Sequence, residues 1–212
     1  MFKTSLAVLA GATAMTFLPV VDAMASNVDD PWLVRVRALS VMPDEDGTSV
    51  PLNGDVEIEN QIVPELDISY FFTENLSLEL ILGVTPHDVT LENSAAGDVD
   101  LGDVWLLPPT LTAQYHFNPR GSFRPYVGAG INYTVFFNED PGATTSIEYS
   151  DEFGFALNAG FDVPINDTWF FNADVKKLFL DTDVVVDAGG LAVVSDVTID
   201  PWIVGVGVGR RF

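Results

Sequence analysis

From about residue 30 onward, apolar and polar side chains alternate with period two, in segments of about ten residues divided by turn chemistry or by acidic, glycine-bearing stretches. Eight such segments can be traced. Trp32 to Val41 sets Trp32, Val34, Val36 and Ala38 against Leu33, Arg35, Arg37 and Leu39. Ile62 to Phe72 sets Ile62, Leu66, Ile68 and Tyr70 against Val63, Glu65, Asp67 and Ser69. Leu76 to Pro86 is the plainest, with four alternating leucines opposite Ser77, Glu79, Ile81 and Gly83. Leu106 to Phe117, Phe123 to Phe137, Glu152 to Val163, Thr168 to Phe179 and the segment from Trp202 to Phe212 complete the set. In each, one face is greasy and the other small or polar.

Thr73-Glu74-Asn75, Asn118 to Ser122 and Pro164 to Asp167 are short connections, whereas the stretches after the first, third, fifth and seventh segments are long and acidic. An even number of strands with short turns at one end and long loops at the other is the layout of a bacterial outer-membrane β-barrel. Segments of this length cross the hydrocarbon when tilted, which takes about 9 to 11 residues. The expected fold is therefore all-β, an eight-stranded antiparallel transmembrane barrel with short periplasmic turns and long extracellular loops. A soluble sandwich or lipocalin-like barrel would instead turn its apolar side chains inward and its charges outward.

The basic residues favour the membrane barrel. Arg35, Arg37, Arg124, Lys176 and Arg211 fall on the polar faces of strands, where Glu65, Asp67, Glu79, Glu152, Asp162 and Asp174 can meet them. A lumen filled by ion pairs leaves the apolar face for lipid, since an unpaired charge in a closed interior is costly. Trp32, Phe72, Tyr115, Phe117, Phe137, Trp169, Trp202 and Phe212 lie near segment ends on the apolar face, the position of interfacial aromatic belts.

The N-terminus reads separately. Lys3, an apolar run from Leu6 to Val21 and the Ala23-Met24-Ala25 site form a secretory signal peptide, residues 1–25, ahead of a barrel spanning 26–212. A transmembrane anchor is disfavoured because the run is short and broken by Pro19. The absence of cysteine means that an exported chain of this size is not stapled by disulfides. Net charge is −22, and loss of Lys3 and Asp22 with the signal leaves it unchanged. So acidic a chain repels nucleic acid. A hydrophobic fraction of 48% argues against disorder, and Pro108-Pro109 interrupts the longest uncharged stretch, which excludes a straight helix there.

The runs LPPTLTAQYHF from Leu107, FRPYVGAGINYTVFF from Phe123 and DPWIVGVGVGRRF from Asp200 resemble the outer membrane protein W (OmpW) family, which includes alkane-uptake proteins of the AlkL type. The resemblance covers essentially the whole mature chain, in order and with similar spacing. It implies a monomeric barrel in the outer membrane of a Gram-negative bacterium, with a narrow, partly apolar lumen that passes small hydrophobic solutes and releases them sideways through the wall. Ile81 matches a lumen constriction, as does Lys176, where the best-known members carry an aromatic. Leu33, Leu39, Phe71 and Phe136 are further inward apolar positions along a path.

A physical basis for an opening lies in the prolines. Pro64, and Pro108 with Pro109 next to Leu107, lack amide donors and interrupt strand ladders, which is tolerated at membrane depth only where the break lines a cavity. The alternative is that these prolines only end strands at the rim. The terminal Phe212 suits the barrel-insertion machinery, although Arg210 replaces the apolar residue usual two positions earlier.

No catalytic, cofactor or metal constellation is visible. His87 and His116 have no cysteine companions for zinc, Gly128-Ala129-Gly130 lacks the third glycine of a dinucleotide fingerprint, and Asp44-Glu45-Asp46-Gly47 lacks the spacing of a calcium loop. The acidic loops, with Asp88, Glu92, Asp98, Asp100, Asp103, Glu139, Asp140, Asp181, Asp183 and Asp187, form a solvated surface or hold cations that bridge to lipopolysaccharide. Three functions remain open: passive uptake of hydrophobic or amphipathic solutes, a narrow cation-preferring channel, and a structural or surface-interaction barrel with a plugged lumen.

Overall fold

The computed structural model describes residues 28–44, 46–47, 55–58, 60–94, 97–142, 146–187 and 192–212. The expected signal peptide, 1–25, lies outside the described residues. Eight strands form the wall: β1 (Trp32–Met42), β2 (Gln61–Phe71), β3 (Leu76–Gly83), β4 (Thr110–His116), β5 (Arg124–Asp140), β6 (Glu152–Pro164), β7 (Trp169–Phe179) and β8 (Trp202–Arg211). Each pairs antiparallel with its sequence neighbours. Pairing of β1 with β8, from Leu33↔Arg211 to Met42↔Trp202, closes the barrel.

The period-two faces sort as the alternation predicts. On β6, for example, Phe153, Phe155 and Leu157 are exposed while Gly154, Ala156 and Asn158 are buried. Outward apolar side chains such as Val36, Ile131, Val206 and Val208 form the belt that lipid covers. At the short-turn rim, Trp32 meets Tyr70 edge-on at 4.8 Å, and Tyr115 meets Phe117 at 5.0 Å. These rings are amphipathic or sit beside amphipathic ones, and suit the headgroup level.

The turns are built by side chains that replace backbone partners. Thr73 Oγ1 accepts from the amides of Asn75 and Leu76, and Asn166 Oδ1 accepts from those of Thr168 and Trp169. At the opposite end the long connections are more ordered than loops. Thr85–Ser94 and Gly97–Leu107 form a hairpin that carries the wall outward, with Asp55–Ile58 along its edge. Asp46–Gly47, Ser146–Tyr149, Asp181–Asp187 and Ala192–Thr198 form a second, four-stranded sheet. The predicted fourth segment is thus split, because Pro108 and Pro109 separate Gly97–Leu107 from β4.

Candidate functional site

The inward face is layered along the barrel axis, and the layering follows directly from each strand's inward series. On β1 the series is Leu33, Arg35, Arg37, Leu39, Val41; on β2, in the opposite direction, Phe71, Ser69, Asp67, Glu65, Val63; on β7, Phe170, Asn172, Asp174, Lys176, Leu178. Antiparallel registration stacks like with like. Leu33, Phe71 and Phe170 cluster at the short-turn end, together with Val28. Leu39, Val41, Val63, Ala156, Leu178 and Ile203 cluster toward the long loops. Between the two apolar layers lies a floor of charge.

That floor is fully buried. Arg35 bonds Glu79 at 2.9 Å and Asp162 at 2.8 Å, and its Nη1 also donates to Ser69. Arg37 Nε lies 2.8 Å from Glu65 and 2.6 Å from Asp67, both ion-pair contacts without hydrogen-bond alignment. Lys176 Nζ reaches Glu65 at 2.6 Å. Tyr126 donates to Asp174, Gln114 to Glu79 and Asn172 to Asp162. Glycines on β8 make room for the arginine stems: a Cβ on Gly207 would fall 2.7 Å from Arg37 Cα, and one on Gly209 2.9 Å from Arg35 Cγ.

The wall is least complete just above the floor. The β2–β3 ladder runs from Phe71↔Ser77 to Glu65↔Gly83 and stops at Pro64, although β2 stays paired with β1 as far as Gln61. Pro64 therefore stands within its strand and not at a strand end. Between β3 and β4 the ladder lapses from Ile81↔Thr110 until Thr85↔Leu106 resumes the same register. On the far side of the Pro108-Pro109 break the wall is bridged, since Tyr133 N and Asn132 Nδ2 donate to these proline carbonyls.

The expected positions fall into distinct places. Ile81 and Lys176 are buried and inward; Leu39 belongs to the upper apolar layer; Leu33 and Phe71 belong to the lower one; Phe136 stacks on Tyr149 at the long-loop mouth, 5.2 Å between centroids. Of the expected charge network, Arg35, Arg37, Glu65, Asp67, Glu79 and Asp174 come together. Arg124, Glu152 and Arg211 lie outside these ion pairs. They occupy strand ends, and among the described residues none of the three forms an ion pair; Arg124 stands opposite Asp162 in the β5–β6 ladder, but that carboxylate is taken by Arg35 and Asn172.

Residues 30–212 match the profile of the OmpW family. The chain belongs to the OmpW family. It is 43% identical to an uncharacterized outer-membrane protein, y4mB, of Sinorhizobium fredii, over 97% of this chain and 90% of that one. It is 34% identical to outer membrane protein W of Vibrio cholerae, over 99% and 100%, and 27% identical to the dibenzothiophene metabolism operon protein PahQ of Pseudomonas aeruginosa, over 87% and 90%. The crystal structure of OprG from Pseudomonas aeruginosa superposes with a TM-score of 0.79 at 28% identity, covering 85% of this chain and 95% of that one.

This OmpW-family barrel is a protein of the Gram-negative outer membrane, so its short turns are periplasmic and its long loops extracellular. At the periplasmic turns Arg120 forms an exposed bidentate pair with Glu74, and that hydrogen bonding holds the Glu74 carboxyl below its ordinary range. On the extracellular hairpin Asp103 faces Asp88 across one ladder and Asp140 across the next. A hydrogen bond with Asp88 pushes the Asp103 carboxyl up. Tyr126, Gln114 and Asn172 are floor residues that charge counting passes over; their signal in the sequence is that they are large polar side chains at inward parity.

Proposed function

We propose that this barrel is a passive transporter that admits small hydrophobic or amphipathic molecules from outside and releases them sideways into the outer membrane. The observation that carries the reading is one of height. The apolar layer of Leu39, Val41, Val63, Leu178 and Ile203 sits on the ionic floor, and Pro64, where the β2–β3 ladder stops, is the residue between Val63 and Glu65. An apolar solute in that layer has two exits. The downward one requires separating desolvated ion pairs, which costs several kcal/mol for each exposed charge; the sideways one leads into hydrocarbon. Pro64, with Leu107, Pro108 and Pro109 across β3, frames the proposed opening, and Ile81 lines its approach. The relative encoded in a dibenzothiophene metabolism operon supports apolar cargo.

A cation channel is the weaker reading, because Arg35, Arg37 and Lys176 stand with the carboxylates in the middle of the lumen. The same reading makes the barrel a monomer with no enzymatic role. Phe212 is offered to the insertion machinery, and the acidic extracellular loops meet the lipopolysaccharide surface. The test is uptake of an apolar aromatic solute by cells with and without the gene. Faster uptake with the protein is expected, and equal rates would leave only a structural or surface-interaction role.

A further inference from the structure

The periplasmic end carries a second feature that the uptake path does not use. Arg124 and Arg211 line one cleft there, together with His116, Glu74 and Asp162, and its floor is formed by Leu33, Phe71 and Phe170. The cleft is shallow and partly open to solvent. The two guanidiniums are held by their stems and planes. Arg124 stacks on Phe170 at 4.9 Å and Arg211 on Phe71 at 4.3 Å. Their Nε atoms donate to backbone carbonyls, Arg124 to Gly121 at 2.9 Å and Arg211 to Asp30 at 3.0 Å.

What is missing is an acceptor of opposite charge. The two carboxylates of the cleft are already engaged: Asp162 takes both forks of Arg35 and the amide of Asn172, and Glu74 takes Arg120. Among the described residues, neither Arg124 nor Arg211 has a carboxylate within 4.0 Å. Arg211 Nη2 is buried and has no hydrogen-bond partner. Two like charges fixed side by side, one with an orphaned buried donor, are an unfavourable arrangement that an anion between them would relieve. Planar guanidinium forks match oxyanions bidentately.

We infer that the periplasmic cleft between Arg124 and Arg211 binds a small oxyanion, a carboxylate or phosphate group. The anion comes either from a soluble periplasmic solute or from the headgroup phosphate of a phospholipid in the inner leaflet.

The test is a titration of the folded mature protein, observed through its arginine guanidinium ¹⁵N resonances. In neutral maltoside micelles the probes are sodium acetate and inorganic phosphate at constant ionic strength; in nanodiscs the probe is phosphatidylglycerol. Saturable shifts of Arg124 and Arg211 are expected, with Arg120, exposed and paired, unmoved as an internal control. Arg124→Gln and Arg211→Gln should each weaken binding about tenfold, equivalent to about 1.4 kcal/mol. Heat-modifiable electrophoretic migration verifies that each variant is folded. Saturation in micelles assigns a soluble anion, and saturation confined to phosphatidylglycerol nanodiscs assigns the headgroup; either supports the site. Absence of saturation in both settings, equal shifts at Arg120, or affinity unchanged in both variants overturns it.

Discussion

Lys176 Nζ and Glu65 Oε1 lie 2.6 Å apart across the lumen, although 111 residues separate them in the chain. Both are almost fully buried. The pair marks the boundary between the charged floor and the apolar layer, at the position where the family resemblance leads one to expect an aromatic constriction. Breaking such a pair is costly because the remaining charge stays buried. Lys176→Met is expected to destabilise the folded barrel by about 3 kcal/mol, read from urea unfolding in lipid vesicles. Arg37 still neutralises Glu65 in part, which places the loss at the low end for buried pairs. The double variant Lys176→Leu/Glu65→Leu should recover most of it, and no recovery would mean that the two act independently.

The proposed lateral exit can be closed on demand. Extending the β2–β3 register by one pair sets Pro64 opposite Val84, and both face outward. The chain contains no cysteine, so Pro64→Cys/Val84→Cys introduces a single possible disulfide. Oxidation should reduce uptake of an apolar solute to the level of cells lacking the protein, and reduction should restore it. Uptake indifferent to oxidation, with the crosslink verified by mass spectrometry, would place the exit elsewhere.

Ion conduction provides an independent check on the floor. With Arg35, Arg37 and Lys176 ion-paired inside the lumen, planar bilayers containing the protein at neutral pH are expected to show no steady current. Cation-selective steps would revive the channel reading and show that the floor opens.

The assignment of faces predicts a sharp contrast between neighbours on β5. Ile131 is 52% exposed toward lipid, whereas Asn132 is 1% exposed and donates to Thr110. Ile131→Arg places a charge against hydrocarbon, at a cost of about 2 to 4 kcal/mol near the midplane, and should prevent insertion, as measured by heat-modifiable migration. Asn132→Ser should insert normally. The reverse outcome would invert the barrel.

Arg210 illustrates how a departure in sequence is absorbed. It stands where outer-membrane barrels usually carry an apolar residue near the C-terminus, yet it lies over Trp169 at 5.7 Å and Phe212 at 4.8 Å. A guanidinium on aromatic faces at the headgroup level keeps its charge hydrated while its stem covers apolar surface.

Period-two alternation alone determined the eight strands, their inward and outward faces and the all-β class, because a strand buried on one face and lipid-covered on the other leaves no freedom of parity. The apolar-charged-charged-apolar order of Leu33, Arg35, Arg37 and Leu39 becomes a layer only when the neighbouring strands register against it. Which charges meet was decided by the tertiary structure. Arg35 finds Asp162 from 127 residues away, while Arg124, Glu152 and Arg211, equally inward by parity, form no ion pair among the described residues, although Arg124 faces that same carboxylate across the ladder. The physical reason is that alternation encodes the face of each residue, but the height at which it enters the lumen depends on the stagger of all eight strands around the closed barrel. The same holds for Pro64. Its missing donor can be read from one letter, but its place at the junction of ionic floor and apolar layer exists only once the barrel has closed.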